Sequence, residues 1–216
     1  MTTWNPYVFE KAYIVVPAIL VCLIFLQIML CRLVKDSEKK IRYSAGMWLL
    51  FHIFTVLCAT IIERPLNNGV RVQLELFWTI KRAWAEHSGR YWYNIIGNIA
   101  LFIPMGALLP TAFRRMRAWW KVSLAGFLFS GMIELSQYVF RLGLCEYDDL
   151  MHNNVGVFLG YQVFIVLSSV KAVGRGKTPF PEAKVMCAMG VIVTVILLFL
   201  VLLIVNQPDW SGVTVF

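Results

Sequence analysis

The sequence predicts an all-α membrane protein, a bundle of about six transmembrane helices with an interfacial segment between the second and third. Three observations carry that reading. Hydrophobic residues are 59% of the 216 and charged residues 15%, with a mean hydropathy of +0.69, more apolar surface than a water-soluble domain of this size hides in one core. Six segments approach the roughly 20 apolar residues needed to cross about 30 Å of hydrocarbon. Those segments are continuous apolar runs, such as AYIVVPAILVCLIFLQIML, and lack the alternation of a membrane β-barrel.

The first span covers residues 13–33. Its basic cluster, Arg32, Lys35, Lys39, Lys40 and Arg42, follows the apolar run instead of preceding it, so the segment reads as a retained anchor and not as a cleaved signal peptide. The second and third spans cover 44–62 and 93–113, the fourth and fifth 122–140 and 150–170. The sixth, 185–205, has no ionisable group and reads as structural. The whole of 1–216 is expected to be a single membrane domain.

The formal charge of +8 invites a nucleic-acid reading, which the placement of the cations argues against. Thirteen of the twenty Lys and Arg sit in three short connections, at 32–42, 114–121 and 171–184. Positive loops stay on the cytoplasmic side, so the chain is expected to be a multi-pass protein of the bacterial plasma membrane with both termini outside. The connection at 63–92 adds five cations and dissents, but long loops count for little in that rule. It combines VRVQLELFW, which alternates, with IKRAWAEHSGRYWY, which mixes aromatics and cations as an interface-lying segment does. Four cysteines, Cys22, Cys31, Cys58 and Cys187, lie in or at apolar spans, only Cys145 is expected to face outward, and no disulfide is expected.

The informative residues are the polar ones inside the spans. In the third span Asn94 and Asn98 lie about 40° apart on a helical wheel, Gly97 is expected to admit a neighbouring helix, and Pro104 and Gly106 to loosen the middle. In the fourth, Ser123, Ser130, Glu134, Gln137 and Arg141 form one stripe. A charged Glu134 about two turns inside the membrane costs several kcal/mol unless paired, protonated or hydrated. It is either half of an ion pair with Arg141 or part of a functional site. In the fifth span Asp148 reads equally well as ordinary capping of a helix N-terminus. Asp149 and Asn153 share a face with Gly156 and Gly160, which is expected to pack closely on another helix. Together Asn94, Asn98, Glu134, Gln137, Asp149 and Asn153 are expected to form one outward-facing site, with Arg141, Arg64 and His152 at its rim. His52 is expected to be a bundle histidine.

Three ordered motifs, NIIGNIALFIPMGALLP, GMIELSQ and CEYDDLMHNNVGVFLGY, resemble the VanZ-like family of bacterial membrane proteins. The resemblance covers about residues 63–170. The matching motif positions are Asn94, Asn98, Phe102, Pro104, Gly106, Glu134, Gln137, Asp148, Asp149, Asn153 and Gly156, while Glu146, Asn154 and Arg141 depart from the pattern. The resemblance implies a link to resistance against teicoplanin, a glycopeptide carrying a lipid tail, or to the chemistry of cell-envelope lipids.

Three functions compete. The first is a binding protein whose polar outer cavity takes an amphiphile, a lipoglycopeptide antibiotic or a lipid-linked cell-wall precursor, through Asn94, Asn98, Glu134, Gln137, Arg141, Asp148, Asp149 and Asn153, with membrane lipids around it and no cofactor. The second is an enzyme acting on a lipid head group, with Glu134 and Asp149 as catalytic acid and base and a divalent cation held by the aspartates. The third is a proton-coupled transporter using Glu134.

Overall fold

The computed structural model describes residues 6–62, 71–86 and 89–174 of the chain. The expected sixth span, 185–205, Cys187 and Arg64 lie outside the described residues. Six α-helices are present among them: α1 (Pro6–Leu33), α2 (Ser37–Leu57), α3 (Trp78–Ala85), α4 (Gly89–Ala112), α5 (Trp119–Phe140) and α6 (Tyr147–Val173). Four are long and apolar enough to cross a membrane, at Ser37–Ile61, Tyr91–Ala112, Trp119–Phe140 and Tyr147–Ala172. The all-α membrane bundle expected from composition is the fold. The first of the six expected spans falls within α1.

The start of α2 lies outside its apolar window because a polar residue sets it. Asp36 caps α2, its carboxylate accepting the Glu38 and Lys39 amides at 2.8 and 3.1 Å, so the helix begins seven residues before the expected span. At its far end α2 continues into a π-helical turn, Cys58–Ile62. Gln27 of α1 donates to Ser44 Oγ of α2 at 2.8 Å, an interhelical amide bond in an otherwise apolar pair.

Lipid tails are as apolar as leucine, so burying Leu and Val against other helices gives little net driving force here. Close backbone approach and interhelical hydrogen bonds take over. The α4–α6 seam shows the first device. A Cβ added at Gly156 or Gly160 would fall onto the carbonyl oxygens of Ile99 or Ile103, and one added at Gly106 onto that of Val157. The expectation for the α6 glycine face is borne out. That for α4 is corrected: a Cβ at Gly97 would meet nothing within 4 Å, and Gly106 makes the close approach instead. Pro104 and Pro110 are accommodated within a continuous α4. Around this seam pack Phe102, Val122, Val157, Tyr161 and Ile165.

The connection at 63–92 is more structured than an aromatic belt. A short strand, β1 (Arg71–Gln73), pairs in parallel with β2 (Leu144–Glu146), Val72 lying opposite Cys145. Helix α3 follows and packs on α4 through Ala83, Trp92 and Ile95. The α2 exit, β1, α3, the α4 start, β2 and the α6 start therefore share one end of the bundle. The basic connections from α1 to α2 and from α4 to α5 share the other.

Candidate functional site

The polar groups of α5, a buried column at Ser130, Glu134 and Gln137, rise over about 10 Å of helix. Each meets a different element. Ser130 Oγ accepts from Asn153 Nδ2 at 2.8 Å. Glu134 Oε2 accepts the backbone N–H of Glu146 at 3.1 Å, and the Cys145 thiol also hydrogen-bonds to Glu134. Gln137 Nε2 donates to the Thr60 carbonyl at 3.0 Å, in the π-helical turn of α2. A 4% exposed carboxylate thus lies where the strand end turns a backbone amide toward it.

Around Cys145 the electrostatics are acidic. Burial first, then the charge and hydrogen bond of Glu134, with Asp149 and Glu146 adding, push the thiol above its ordinary value. Asp149 Oδ1 accepts from Asn98 Nδ2 at 2.8 Å, joining α6 to α4. Of the residues expected in one site, Asn98, Glu134, Gln137, Asp149 and Asn153 occupy this seam. Asn94 is exposed. Arg141 is exposed too, and its part is to end α5: it takes a left-handed φ of 57°, and the amides of Arg141 and Leu142 return to the Tyr138 and Gln137 carbonyls, a terminating turn more often given to Gly or Asn. Gly143, at φ 151°, then leads the chain into β2.

Asp148 has a structural task of another kind. It is 2% exposed, and its two carboxylate oxygens accept the backbone amides of Phe77 and Thr79 at 2.7 and 2.8 Å. The residue therefore caps α3, some seventy positions earlier in the chain, and clasps Phe77 in a left-handed conformation, φ 60°, that a bulky residue adopts at a cost of about 1–2 kcal/mol. Thr79 Oγ1 adds a bond to Glu146 Oε2 at 3.1 Å. Sequence reasoning missed Thr60 and Thr79, which lie outside the motifs. It also ranked His152 low, although this side chain is 7% exposed beside Asp148.

Three buried atoms in this region, Gln137 Oε1, Asn153 Oδ1 and His152 Nδ1, have no hydrogen-bond partner among the described residues. Among those residues, no group of three or more His, Cys, Asp or Glu side chains converges as a metal-ligand set. Beside the seam an open groove of about 330 Å³ runs between α5 and α6, lined by Phe127, Tyr147, Leu150, Met151, Phe158 and their neighbours. It follows α6 for about 17 Å, on the flank of that helix turned away from Asp149. None of the site residues named from sequence lines it.

A bundle of apolar spans stitched by buried carboxylates and amides defines a polytopic membrane protein, and the family profile named VanZ/LLP1 matches residues 18–168. That is well over half of the chain, which belongs to this family. The matched region begins well before residue 63 and takes in most of α1 and all of α2. The chain is also similar to Protein VanZ of Enterococcus faecium, 31% identical over 71 residues. This stretch is 33% of the chain and 44% of the relative, so the match spans less than half of that protein's length. No solved structure matches.

Proposed function

We propose that this VanZ-family membrane protein receives the polar head of an amphiphile at the seam of α4, α5 and α6, in the outer half of the bacterial plasma membrane. The orientation follows the positive connections, which stay inside and leave both termini outside. The supporting observation is the pair of buried acceptors, Gln137 Oε1 and Asn153 Oδ1, beside Glu134 and Asp149. A buried carbonyl oxygen without a donor costs about 1–3 kcal/mol, and a hydroxyl or amine on a ligand supplies the donor. The groove between α5 and α6 is apolar along most of its lining and takes the hydrocarbon tail.

Family membership and the likeness to Protein VanZ support a lipid-tailed glycopeptide such as teicoplanin, or a lipid-linked envelope precursor, as that amphiphile. The test compares bacteria expressing wild type, Glu134→Gln or Asn153→Leu for growth on teicoplanin and on vancomycin, with membrane levels of each variant matched. Wild type is expected to protect selectively against teicoplanin, and both variants to lose that protection. Protection unchanged in both variants would remove the seam from the function, and equal susceptibility with and without the wild-type protein would remove the resistance reading.

A further inference from the structure

At the other end of the bundle three arginines from two stretches of the chain converge. Arg42 lies near the start of α2, Arg114 in the 3-10 turn Arg114–Met116 after α4, and Arg117 just before α5. Arg42 Nε donates to the carbonyl of Ala112 at 3.3 Å, where the closing carbonyls of α4 present partial negative charge. Arg114 pairs with Glu38 at 2.6 Å. Tyr161 Oη donates to the Arg117 carbonyl at 2.7 Å, fixing the chain there from α6, and the half-buried Arg117 guanidinium lies 6.0 Å from the Phe164 ring.

Glu38 pairs with Arg114 and also acts on Arg117, and Asp36 lies near Arg114 as a second carboxylate. Burial, then the charge of Arg114, with Arg42 adding and Glu38 opposing, lowers the proton affinity of Arg117. Like charges held together by the fold repel unless an anion shares them. The first turn of α5 starts at the same place, and its N-cap residue, Ala118, makes no side-chain capping bond, so the helix turns an unneutralised positive end toward the arginines. Flanking Arg114 and Arg117 in the chain, Phe113, Trp119 and Trp120 are 51, 45 and 53% exposed, as aromatics at a headgroup boundary are.

We propose that Arg42, Arg114 and Arg117, with the open N-terminus of α5, bind the phosphate of an anionic membrane lipid. The flanking aromatics select a lipid over a free phosphate, because they offer contact to the glycerol and upper acyl carbons that a soluble anion lacks. The site is separate from the carboxylate seam and does not depend on what that seam binds.

The experiment is native mass spectrometry of the full chain in neutral detergent, titrated with phosphatidylglycerol or phosphatidylcholine. Wild type is expected to retain phosphatidylglycerol preferentially. That preference falls by about fivefold for each arginine removed, the effect of one cation near an anionic headgroup. Arg114→Gln, at an exposed position, and Arg42→Gln/Arg114→Gln are compared with Lys35→Gln, which lies outside the trio and leaves the preference intact. Thermal unfolding gives a second measure: phosphatidylglycerol raises the wild-type midpoint and leaves that of the double variant where it was. Equal retention of the two lipids by wild type, or an unchanged preference in the double variant, would overturn the proposal. Displacement of the lipid by millimolar inorganic phosphate would assign the site to a small soluble anion and overturn it equally.

Discussion

The two ends of the bundle handle charge in opposite ways. At the α3 end the carboxylates go inward: Glu134 and Asp148 are buried and answered by backbone amides from residues 12 and about 70 positions away. At the basic end, charges face outward, and the ion pair Arg114–Glu38 leaves both side chains 53% exposed. The comparison teaches that one end uses carboxylates to hold tertiary structure, whereas the other presents its charged groups to the surroundings. Substitutions should therefore disturb packing and local order at the first end, and chiefly charge-dependent binding at the second.

The largest expected effect lies in the seam that carries the buried carboxylates. Gly160→Leu forces a side chain onto the Ile103 carbonyl and should destabilise the bundle by about 3 kcal/mol, the upper range for overpacking. Gly97→Ala, into open space, should stabilise by roughly 0.5–1 kcal/mol through helix propensity. Thermal unfolding of the two variants checks the pair, and equal losses would contradict the assignment of Gly160 and not Gly97 as the contact glycine.

Next comes the clasp. Asp148→Ala removes both acceptors for the Phe77 and Thr79 amides and should cost about 2 kcal/mol, with α3 released before the spans. Amide hydrogen exchange resolves this: protection should fall at residues 77–82 while that of α5 persists, and Asp148→Asn should recover part of it. Uniform loss across all helices would show that the clasp is not local to α3.

A smaller effect concerns Cys145. Because burial and Glu134 raise its pKa, the thiol stays protonated in the folded state to higher pH than in the unfolded chain. Its contribution to stability is full below the unfolded value and lost as pH rises through the folded one. Maleimide labelling at pH 8 should be slower than for a free thiol, and Glu134→Gln should accelerate it. The smallest effect is expected at Asp36, whose pKa is lowered by the Lys39 and Glu38 amides. That cap holds above the unfolded pKa and is lost as pH falls through the folded one, so acid should fray the start of α2 first, visible as exchange at residues 38–40.

What could be read from sequence follows the same division. The spans were legible because apolar runs of membrane length have few other uses. Asp149, Asn153, Gly156 and Gly160 were legible as one face because helical periodicity is local. The task of Asp148 was not: its partners are the amides of Phe77 and Thr79, and backbone amides leave no mark in a sequence. The β1–β2 pairing escaped for the same reason, since it joins two three-residue segments more than seventy positions apart. Arg141 was misleading. Its charge and its place on the polar stripe suggested an ion pair with Glu134, whereas the left-handed turn it adopts sets it outside, and a helix end placed on a non-glycine residue gives no compositional signal.

The central claim is that the seam beside Glu134 holds the head of an amphiphile, and its most direct test is the composition of what travels with the protein. Wild type and Glu134→Gln, purified side by side from the same bacterial membranes, would be analysed by lipid mass spectrometry. An amphiphile bearing hydroxyl or amine groups, enriched on wild type and depleted on the variant while bulk lipids stay equal, is the predicted result. Identical lipid profiles for two equally folded proteins would contradict it.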